Sequence, residues 1–534
     1  MIQLKLITPT KTFVLDPLDG LTIPSNMQLN DNLQHQEAQL SVRVAYDVEV
    51  LNSLIENSEL QAQLLDNNTP VFSGIIDTGV SWTDNGNPEP LENIPLVIND
   101  NTYKLQQTTE DEFACINISL AEITRRICLN CGLSFEGNSK AESVIIPAFV
   151  LKADQEYYQA FSDLLFEYKF SFGFTPEGNL CLIDLDAELD NIELSDLFSG
   201  VKVQKTKKKF TGVKLSYGKL TAKENEQIYF EGGNLNEDSK VVPYIITPGS
   251  YYPVEASPVL EEENGQVYQD FAQGFAETKT LYNGEKRLQR SQNTELIYTT
   301  NHYLVEDWTE NLSVDRTDFK YTQASVRFYN ASDTDAELRQ LAIRATAYYR
   351  SDAEYILGTG KKYSYDTSYI YDTQNATNFA DFLSKYFLGG NLKITFKTDK
   401  ELTPGQKIKI NTNTFSANVK VLAVNHNYTF NVFEIAAITE QIVSLAVKKN
   451  QTQSSMSANQ QLQRTEVSAE LIDSIIEEYY LSDSRTELIN GTWQTTPVVP
   501  TSTQYVWTRT TFIYSDGSKT TTEPGVKLRP RIRL

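Results

Sequence analysis

The sequence contains few cysteines and histidines, and each shortage argues against a class of protein. Its 534 residues include four cysteines, all between Cys115 and Cys181, too few to form a disulfide framework. The three histidines, His35, His302 and His426, lie in unrelated segments without the spacing of a zinc site. No stretch approaches the roughly 20 consecutive apolar residues that span a bilayer. We therefore expect neither a disulfide-stapled, nor a zinc-dependent, nor a membrane-spanning protein.

Sequence motifs of the common enzyme classes are also absent. There is no GxSxG elbow or dinucleotide fingerprint, and the segment 358–362 lacks the glycine spacing of a phosphate loop. The pair Cys128 and Cys131 has no second pair or nearby histidine, which favours small buried core residues over a metal site. Carboxylates are plentiful, so a glycosidase pair stays open as an alternative. We predict no catalytic, cofactor-binding or metal-binding residues, no cofactor, and a protein that is not an enzyme.

Acidic residues outnumber basic ones and give a net charge of −23. This charge opposes binding to nucleic acid or to an anionic membrane surface. If the chain forms a ring, we hypothesise that an acidic passage repels DNA rather than retaining it. The 29 tyrosines and 25 phenylalanines favour sheets, so we expect several domains of a mainly β, α+β protein. The N-terminal stretch MIQLKLITPTKTF lacks a long apolar core, which predicts synthesis as a soluble protein in a cytoplasm.

The local signals agree best in the segment 119–186. Ser119 and Glu122 form a capping-box pattern that begins a helix, and Gly132 stands where that helix would end. A second helix is predicted from Asp154. Alternating apolar residues then flank a Thr-Pro-Glu-Gly-Asn turn: Phe170, Phe172, Phe174, Leu180 and Leu182. The predicted order is helix, strand, helix, hairpin.

Both flanks of this segment are predicted to be rich in strands. In 1–107, the segment 60–80 has an Asp-Asn-Asn-Thr-Pro turn between two strands. In 197–446, the basic run 205–209 is interpreted as a solvated strand edge. A patch that docks a partner stays open as the less favoured alternative. Residues 219–300 have little periodicity and are interpreted as an insertion. Two further helices are predicted, at Asp333–Arg350 and Asn378–Leu388, followed by strands up to residue 438.

The C-terminal part is predicted to be a linker, a helix and a small β module. Within 447–478 the apolar spacing is equally compatible with a short parallel coiled coil and with an ordinary amphipathic helix. Within 479–534, Asp516-Gly517 predicts a hairpin turn. The final residues alternate basic side chains, which fits either a tail that docks an acidic neighbour or disorder: Lys527, Arg529, Arg531 and Arg533.

Three segments, in the same order along the chain as in the family, resemble the hub proteins of bacteriophage tails, and a fourth resembles another phage tail module. The hairpin FGFTPEGNLCLID (172–184) is similar to a hairpin of their small α/β domain, and the Phe-Ser-Gly of 72–74 is similar to one in their first barrel. The stretch LTPGQKIKI (402–410) is similar to the closing strands of their second barrel. The segment 480–517, with its Gly-x-Trp, Tyr-x-Trp-x-Arg and Tyr-x-Asp-Gly motifs, is similar to a module of phage minor tail proteins. Together these fits cover about four fifths of the chain.

The resemblance, to the late-control gene D family, implies a fold with two tube-like antiparallel β-barrels. It divides the chain into a first barrel at 1–107, a small α/β domain at 108–196, and a second barrel at 197–446. The second barrel contains insertions at about 219–300 and 331–390, and no known pattern matches 219–330. A linker and helix at 447–478 then lead to a small β module at 479–534.

The resemblance also implies a structural function at the tail tip of a virion. The implied assembly is a homotrimeric ring that continues the tail tube, adapts sixfold to threefold symmetry and passes DNA without binding it specifically. The implied partners are a tail tube or distal tail protein above, a spike, fibre or receptor-binding protein below, the tape-measure protein in the lumen, and the bacterial cell surface. Assembly is implied in the host cytoplasm.

Two alternative functions stay open at the level of sequence. The first is the hub of a contractile protein-injection machine, such as a phage-tail-like bacteriocin or a type VI spike base. The second is a carbohydrate-binding surface adhesin whose exposed tyrosine and tryptophan side chains stack on sugars.

Overall fold

The computed structural model consists of two compact units, Met1–Val443 and Ser444–Leu534. It is mainly β with a few helices, as predicted. No helix in the described part is long and apolar enough to cross a membrane. The structure describes residues 2–18, 21–57, 60–76, 93–190, 192–194, 197, 201–205, 210–232, 234–235, 241–256, 259–263, 266–270, 288–290, 294–322, 324–388, 392–411, 416–440, 472–484, 486–496, 498, 504–514, 519–521 and 523–526.

The N-terminal region forms a six-stranded antiparallel sheet around one apolar core. Its elements are β1 (Ile2–Ile7), β2 (Thr12–Leu15), β3 (Thr22–Pro24), β4 (Gln39–Ala45), α1 (Val48–Glu56), β5 (Leu60–Asp66), β6 (Thr69–Ile76) and β7 (Asn93–Asn99). The strand order is β2-β1-β5-β6-β7-β4, with β3 outside this sheet. After β2, the chain is joined to β4 by a β-bridge between Pro17 and Val44. A hydrogen bond of 2.8 Å from Leu18 N to Arg43 O continues this pairing. The first sheet therefore closes on itself, as a barrel does.

The next segment is the small α/β domain. It contains the predicted helix, strand, helix and hairpin in that order, together with a preceding strand and a short additional helix that were not predicted. After a 3₁₀ helix (Asn101–Gln106) it contains β8 (Phe113–Ser119), α2 (Leu120–Asn130), β9 (Phe135–Glu136), α3 (Ser139–Glu142), β10 (Ile145–Leu151), α4 (Tyr157–Glu167), β11 (Phe170–Phe174) and β12 (Leu180–Asp184). Its core contains all five of the phenylalanine and leucine positions that were predicted to flank the hairpin turn. The two helices and the hairpin pack around this core as one unit.

Two local details of this domain differ from the sequence prediction. Ser119 does cap α2, since its Oγ accepts from Glu122 N at 3.2 Å. The Glu122 carboxylate, however, accepts from Arg125 and Arg126 instead of reaching back to the cap. The capping box is thus half formed, because two guanidinium donors outcompete one backbone amide. The second helix begins at Tyr157 rather than Asp154, whose φ of 64° is not helical.

A large insertion separates the first two strands of the second sheet from the rest of that sheet. The two strands are β13 (Glu193–Leu194) and β14 (Lys202–Lys205). The insertion contains β15 (Gly212–Gly232), β16 (Asn234–Leu235), β17 (Val241–Val242), β18 (Tyr244–Ile246), β19 (Tyr251–Ala256), β20 (Val259–Glu263), β21 (Gln266–Asp270), β22 (Leu288–Arg290), β23 (Thr294–Trp308), β24 (Leu312–Phe319), β25 (Ala324–Asn330), β26 (Ala336–Gly358), β27 (Lys362–Asp366) and α5 (Thr373–Phe387).

The insertion is built on one long strand, β26. It pairs with β15 on one side and with β23 on the other. Its 23 residues span about 75 Å at roughly 3.3 Å each. A second, three-stranded sheet of order β19-β25-β24 shares a core with the distal part of this ribbon. The region therefore forms an arm with its own core.

The helix predicted at Asp333–Arg350 is wrong, because these residues belong mostly to β26. Leu341, Ile343, Ala345, Ala347 and Tyr349 alternate along the strand and are all buried in the core of the arm. Some of these residues also fall at helical spacing, so the sequence pattern is compatible with both a helix and a strand. Pairing with two long neighbouring strands stabilises the strand rather than the helix. The helix predicted at Asn378–Leu388 is confirmed as α5, which Asp372 caps through Asn375 N at 2.8 Å.

The second sheet is completed after the insertion. Its remaining strands are β28 (Leu392–Thr398), β29 (Lys407–Asn411), β30 (Ser416–Asn427) and β31 (Val432–Thr439). The strand order is β13-β29-β30-β31-β28-β14, and β3 from the N-terminal region pairs with the end of β30. One face of this second sheet encloses a separate core, formed by residues such as Ile394, Phe396, Val419 and Ile435.

The C-terminal unit is a small antiparallel sheet. Its strands are β32 (Ile472–Ser482), β33 (Tyr505–Tyr514), β34 (Lys519–Thr521) and β35 (Gly525–Val526). The helix predicted within 447–478 is wrong where it overlaps β32, because residues 472–478 pair with β33. The rest of that prediction, from 447 to 471, lies outside the described residues. So do the predicted turn at Asp516-Gly517 and the basic tail from Lys527.

Replacing Gly74 by Ala is expected to destabilise the protein by about 3 kcal/mol or more. An added Cβ would lie 1.9 Å from Asn99 O, and this backbone oxygen cannot rotate away. Urea denaturation of the full chain measures the free energy of unfolding. The matched control is Gly137→Ala, because nothing lies within 4 Å of a Cβ at that position. Equal stability of the two variants would contradict the close packing of β6 against β7.

Candidate functional site

Histidine and cysteine side chains do not converge on a catalytic site within the part of the chain that the structure describes. His302 lies on β23 and His426 on β30, while His35 is buried elsewhere. No group of His, Cys, Asp or Glu side chains among the described residues could hold a metal ion. Burial raises the pKa of Cys128 to about 12 and of Cys131 to about 11, so both stay protonated thiols in the core. The features that need explaining are instead the junctions between the sheets.

The first junction joins the two sheets of the N-terminal unit. β3 lies outside the first sheet and pairs with the end of β30, and directly after it Ser25 N donates to Val424 O at 2.8 Å. Across the same boundary, Tyr428 Oη donates to Asp66 Oδ2 at 2.7 Å. This bond lowers the pKa of Asp66, which stays ionised. The two sheets are therefore joined side by side by backbone pairing and one charge-assisted hydrogen bond.

The second junction joins the first sheet to the hairpin of β11 and β12. The hydroxyl of Ser73 donates to Pro176 O, and Asn101 Nδ2 donates to Gly178 O at 2.8 Å. Gly178 has a φ of 91°, which a residue with a Cβ rarely adopts. The Phe-Ser-Gly and Pro-Glu-Gly-Asn motifs, about a hundred residues apart in sequence, thus bind one another. Sequence reasoning identified both motifs but not their contact.

A buried chain of polar groups lies beside this second junction. His35 Nδ1 faces Phe172 O at 3.1 Å, and its Nε2 faces Thr102 Oγ1 at 2.7 Å. Thr102 Oγ1 also bonds Asp100 Oδ1, while Asp100 Oδ2 accepts from Ala38 N at 2.7 Å. Burial lowers the pKa of His35 to about 4 and raises that of Asp100 to about 7. These side chains link the N-terminal region to the hairpin strand β11.

The Asp100 carboxyl group is the acceptor at one end of this polar chain. Its Oδ1 accepts from the hydroxyl of Thr102 and from Thr102 N at 2.9 Å, and its Oδ2 accepts from Ala38 N. At the other end the Phe172 carbonyl can only accept, so His35 Nδ1 carries a hydrogen. Sequence reasoning missed this network, although Asp100 followed by Thr102 fits the start of a short helix.

Two glutamates of the α/β domain hold the inserted arm. Glu112 accepts from Tyr321 N at 2.8 Å and from Thr322 N at 2.5 Å, at the turn between β24 and β25. Glu167 accepts from the backbone amides of Ser368 and Tyr369, both at 2.7 Å. Burial raises the pKa of Glu167 to about 8. Each carboxylate thus binds two successive backbone N–H groups of the insertion.

A cavity of about 430 Å³ lies where the two sheets and the hairpin meet. It is within the size range of small-molecule sites. Its walls are mostly apolar and aromatic, and include Pro24, Pro70, Phe174, Leu402, His426 and Tyr428. Glu401 is the one carboxylate in its lining. No cluster that could drive catalysis faces it.

Tail proteins are among the solved structures similar to this one. The 43 kDa tail protein of prophage MuSo2 from Shewanella oneidensis has a TM-score of 0.40 at 7% identity, covering 82% of this chain and 99% of that one. A tail protein from Neisseria meningitidis MC58 has a TM-score of 0.40 at 8% identity, with coverages of 82% and 96%. Prophage tail protein gp18 from Listeria monocytogenes EGD-e has 0.38 at 9%, with 82% and 94%. At these scores the similarity carries no argument about function. No family model and no curated protein matches the chain.

Replacing Ser73 by Ala is expected to lower the free energy of unfolding by about 0.5–1.5 kcal/mol, because the Pro176 carbonyl loses the hydroxyl of the buried Ser73 as its donor. Chemical denaturation measures the change. Ser41→Ala is the matched control, since Ser41 is exposed on β4 and its loss should stay within about 0.5 kcal/mol. If both variants unfold alike, the Ser73 bond does not hold the hairpin against the first sheet.

Glu167 predicts a specific dependence of stability on pH. Its pKa in the folded protein is about 8, above the usual 4.5, so its contribution is complete below about pH 4.5 and is lost as the pH rises through 8. Between about pH 5 and 9 the wild type should therefore lose about 2 kcal/mol or more relative to Glu167→Gln, which does not titrate. Denaturation curves at several pH values measure this difference. Glu177→Gln, at an exposed position, should follow the wild type throughout.

Proposed function

We propose that this chain is the structural hub of a tailed-phage, or phage-derived, tail tip. One observation carries the proposal: a single chain holds two separate β-sheets, each around its own core, joined side by side through β3 and β30. Sheets joined in this way build the wall of a tube, because each one continues the surface of the next. The three sequence segments that resemble hub proteins, and the C-terminal segment that resembles a phage minor tail protein module, support the same conclusion.

The proposed assembly is a homotrimer. Three chains place six such sheets around one axis, so the ring matches a sixfold tail tube on one side and presents threefold symmetry on the other. The function is then geometric rather than catalytic. The ring continues the tube, its lumen holds the tape-measure protein and passes DNA, and the C-terminal unit carries the distal spike, fibre or receptor-binding part. Assembly takes place in the host cytoplasm, and the finished ring belongs to the virion.

The charge of the two sheets bears on the proposed passage. The strands of the first sheet contain one acidic residue, Asp66 at the end of β5. In the second sheet, the side of the strands that points away from the core of that sheet is rich in lysine: Lys202, Lys393, Lys397, Lys407 and Lys409.

Three of these lysines are paired with carboxylates: Lys393 with Asp31, Lys407 with Glu440 and Lys409 with Glu193. Part of this side is also covered within the chain, because Leu422 and Ile438 pack into the core around α5. These strands therefore add little net charge to the proposed passage, and the net charge of −23 comes mostly from other segments.

The hub of a contractile protein-injection machine would use the same geometry, and it is the alternative among structural hubs.

The C-terminal unit gives less support to the alternative that this protein is a carbohydrate-binding adhesin. The Arg509 guanidinium lies 4.3 Å from the Trp493 ring and also binds Glu478 through two hydrogen bonds. One face of this indole is therefore occupied within the protein itself, and Trp507 Nε1 donates to Ser484 O. These aromatic side chains contribute to the fold of the unit.

The proposal predicts a native mass of about 181 kDa, three times the 60.4 kDa of one chain. Mass photometry of the purified full-length protein measures it, and negative-stain imaging should show a three-lobed ring with a central hole. A dimer or an open filament would contradict the proposed symmetry. A protein that stays monomeric at every concentration would contradict the proposal that this chain forms a ring by itself.

A further inference from the structure

The cavity between the two sheets and the hairpin has a buried acceptor without a donor in its wall. Asn26 lies two residues after β3, lines the cavity and is 3% exposed. Its Oδ1 is buried and has no hydrogen-bond partner among the described residues. Buried polar atoms in folded proteins are nearly always paired, because an unpaired one loses its hydrogen bonds to water without replacement. The side chain of Asn26 therefore offers a free acceptor to a ligand.

Two other contacts hold Asn26 in this position. Its Nδ2 donates to Ser73 O at 2.8 Å, so the amide cannot turn over without losing that bond. Its backbone oxygen accepts from Phe174 N at 3.2 Å. The first bond joins Asn26 to β6 and the second joins it to the hairpin strand β11. The orientation of Oδ1 is thus fixed before a ligand binds, which lowers the entropy cost of binding to it.

The walls of the same cavity suit an apolar group. Phe174 is fully buried, and Ile23, Leu402 and Val424 are no more than 5% exposed. An engineered apolar cavity of about 150 Å³ holds one benzene ring. At about 430 Å³, this cavity has room for a bicyclic ring system with a short side chain. Burial of such a ring against these side chains supplies the main attraction.

The charges at the cavity favour a cationic ligand. Among the described residues of the lining, Glu401 is the one carboxylate, and none is lysine or arginine. Glu401 is exposed, so its carboxylate lies at the outer part of the cavity, whereas Asn26 is buried at the inner part. Tyr428, which also lines the cavity, binds a second carboxylate, Asp66, through its hydroxyl. Negative charge at the entrance attracts a protonated amine and repels an anion.

We propose that this cavity binds a small apolar amine that carries a second N–H or O–H donor at its other end. The ring system of the ligand fills the apolar part, the second donor binds Asn26 Oδ1, and the ammonium group lies beside Glu401. Arylalkylamines whose ring carries a polar hydrogen have this chemistry. The inference goes beyond the proposed hub and does not depend on its ring, because every lining residue belongs to one chain.

Tryptamine is the probe for the first test, because its indole N–H and its ammonium group supply the two donors. A ligand-detected NMR titration of the full-length protein at neutral pH is expected to give a Kd of about 1 mM or lower. 1-Methyltryptamine lacks the indole hydrogen, and indole-3-propionate carries an anion in place of the ammonium group. Each should bind about 10-fold more weakly than tryptamine. 5-Methyltryptamine keeps both donors and controls for the size of the added methyl group.

A charge reversal in the protein tests the position of the ammonium group. Glu401→Lys is expected to invert the preference, so that indole-3-propionate binds more tightly than tryptamine. Glu401 is exposed, and the thermal unfolding curve of this variant should match that of the wild type. The matched control is Glu110→Lys, because Glu110 is exposed and lies outside the lining. This control should leave the Kd of both ligands unchanged.

The outcomes distinguish the parts of the inference. Tryptamine that does not bind at about 10 mM overturns the amine site, while the proposed hub stands, since that proposal is tested by native mass and imaging. Equal binding of tryptamine and 1-methyltryptamine would show that Asn26 Oδ1 does not receive the ligand. An unchanged preference in Glu401→Lys, or the same inversion in Glu110→Lys, would show that the amine does not lie beside Glu401. Each of these results overturns the proposed binding mode.

Discussion

The contact of Ser73 with the Pro176 carbonyl is the constraint on which the arrangement of the N-terminal unit depends. Ser73 lies on β6, next to Gly74. Because Gly74 has no Cβ, its backbone can lie against the carbonyl oxygen of Asn99. The hairpin turn can therefore reach the first sheet, and Asn101 binds it from the end of β7. Once the hairpin is held there, its strand β11 presents Phe172 to the ring of His35, 4.2 Å away between centroids.

Buried ionisable groups lie at two of the places where one part of this unit meets another. Asp100 and His35 lie between the first sheet and the hairpin, and Glu167 lies between the α/β domain and the inserted arm. Burial without partners would cost several kcal/mol for each, so their hydrogen bonds are satisfied by backbone amides or by one another. Such groups tolerate few alternative neighbours. They make the relative position of the parts specific.

The inserted arm shows how far pairing over long sequence distances can override local preference. Residues of β26 have good helix formers such as Leu338, Leu341, Ala342 and Ala345 at helical spacing. They form a strand because β15 and β23 together satisfy both of its edges along most of its length. Nothing within a window of twenty residues contains that information.

The sequence by itself determined the short-range features: the mainly β class, the cap of α2 at Ser119, its end at Gly132, the hairpin around Pro176 and helix α5. Each of these depends on neighbours within a few residues, so its signal is local. The tertiary structure alone decided that the Ser73 and Pro176 motifs meet and that His35 and Asp100 share one buried network. These outcomes depend on which distant segments pair and on what then covers each side chain, and a linear sequence does not state either.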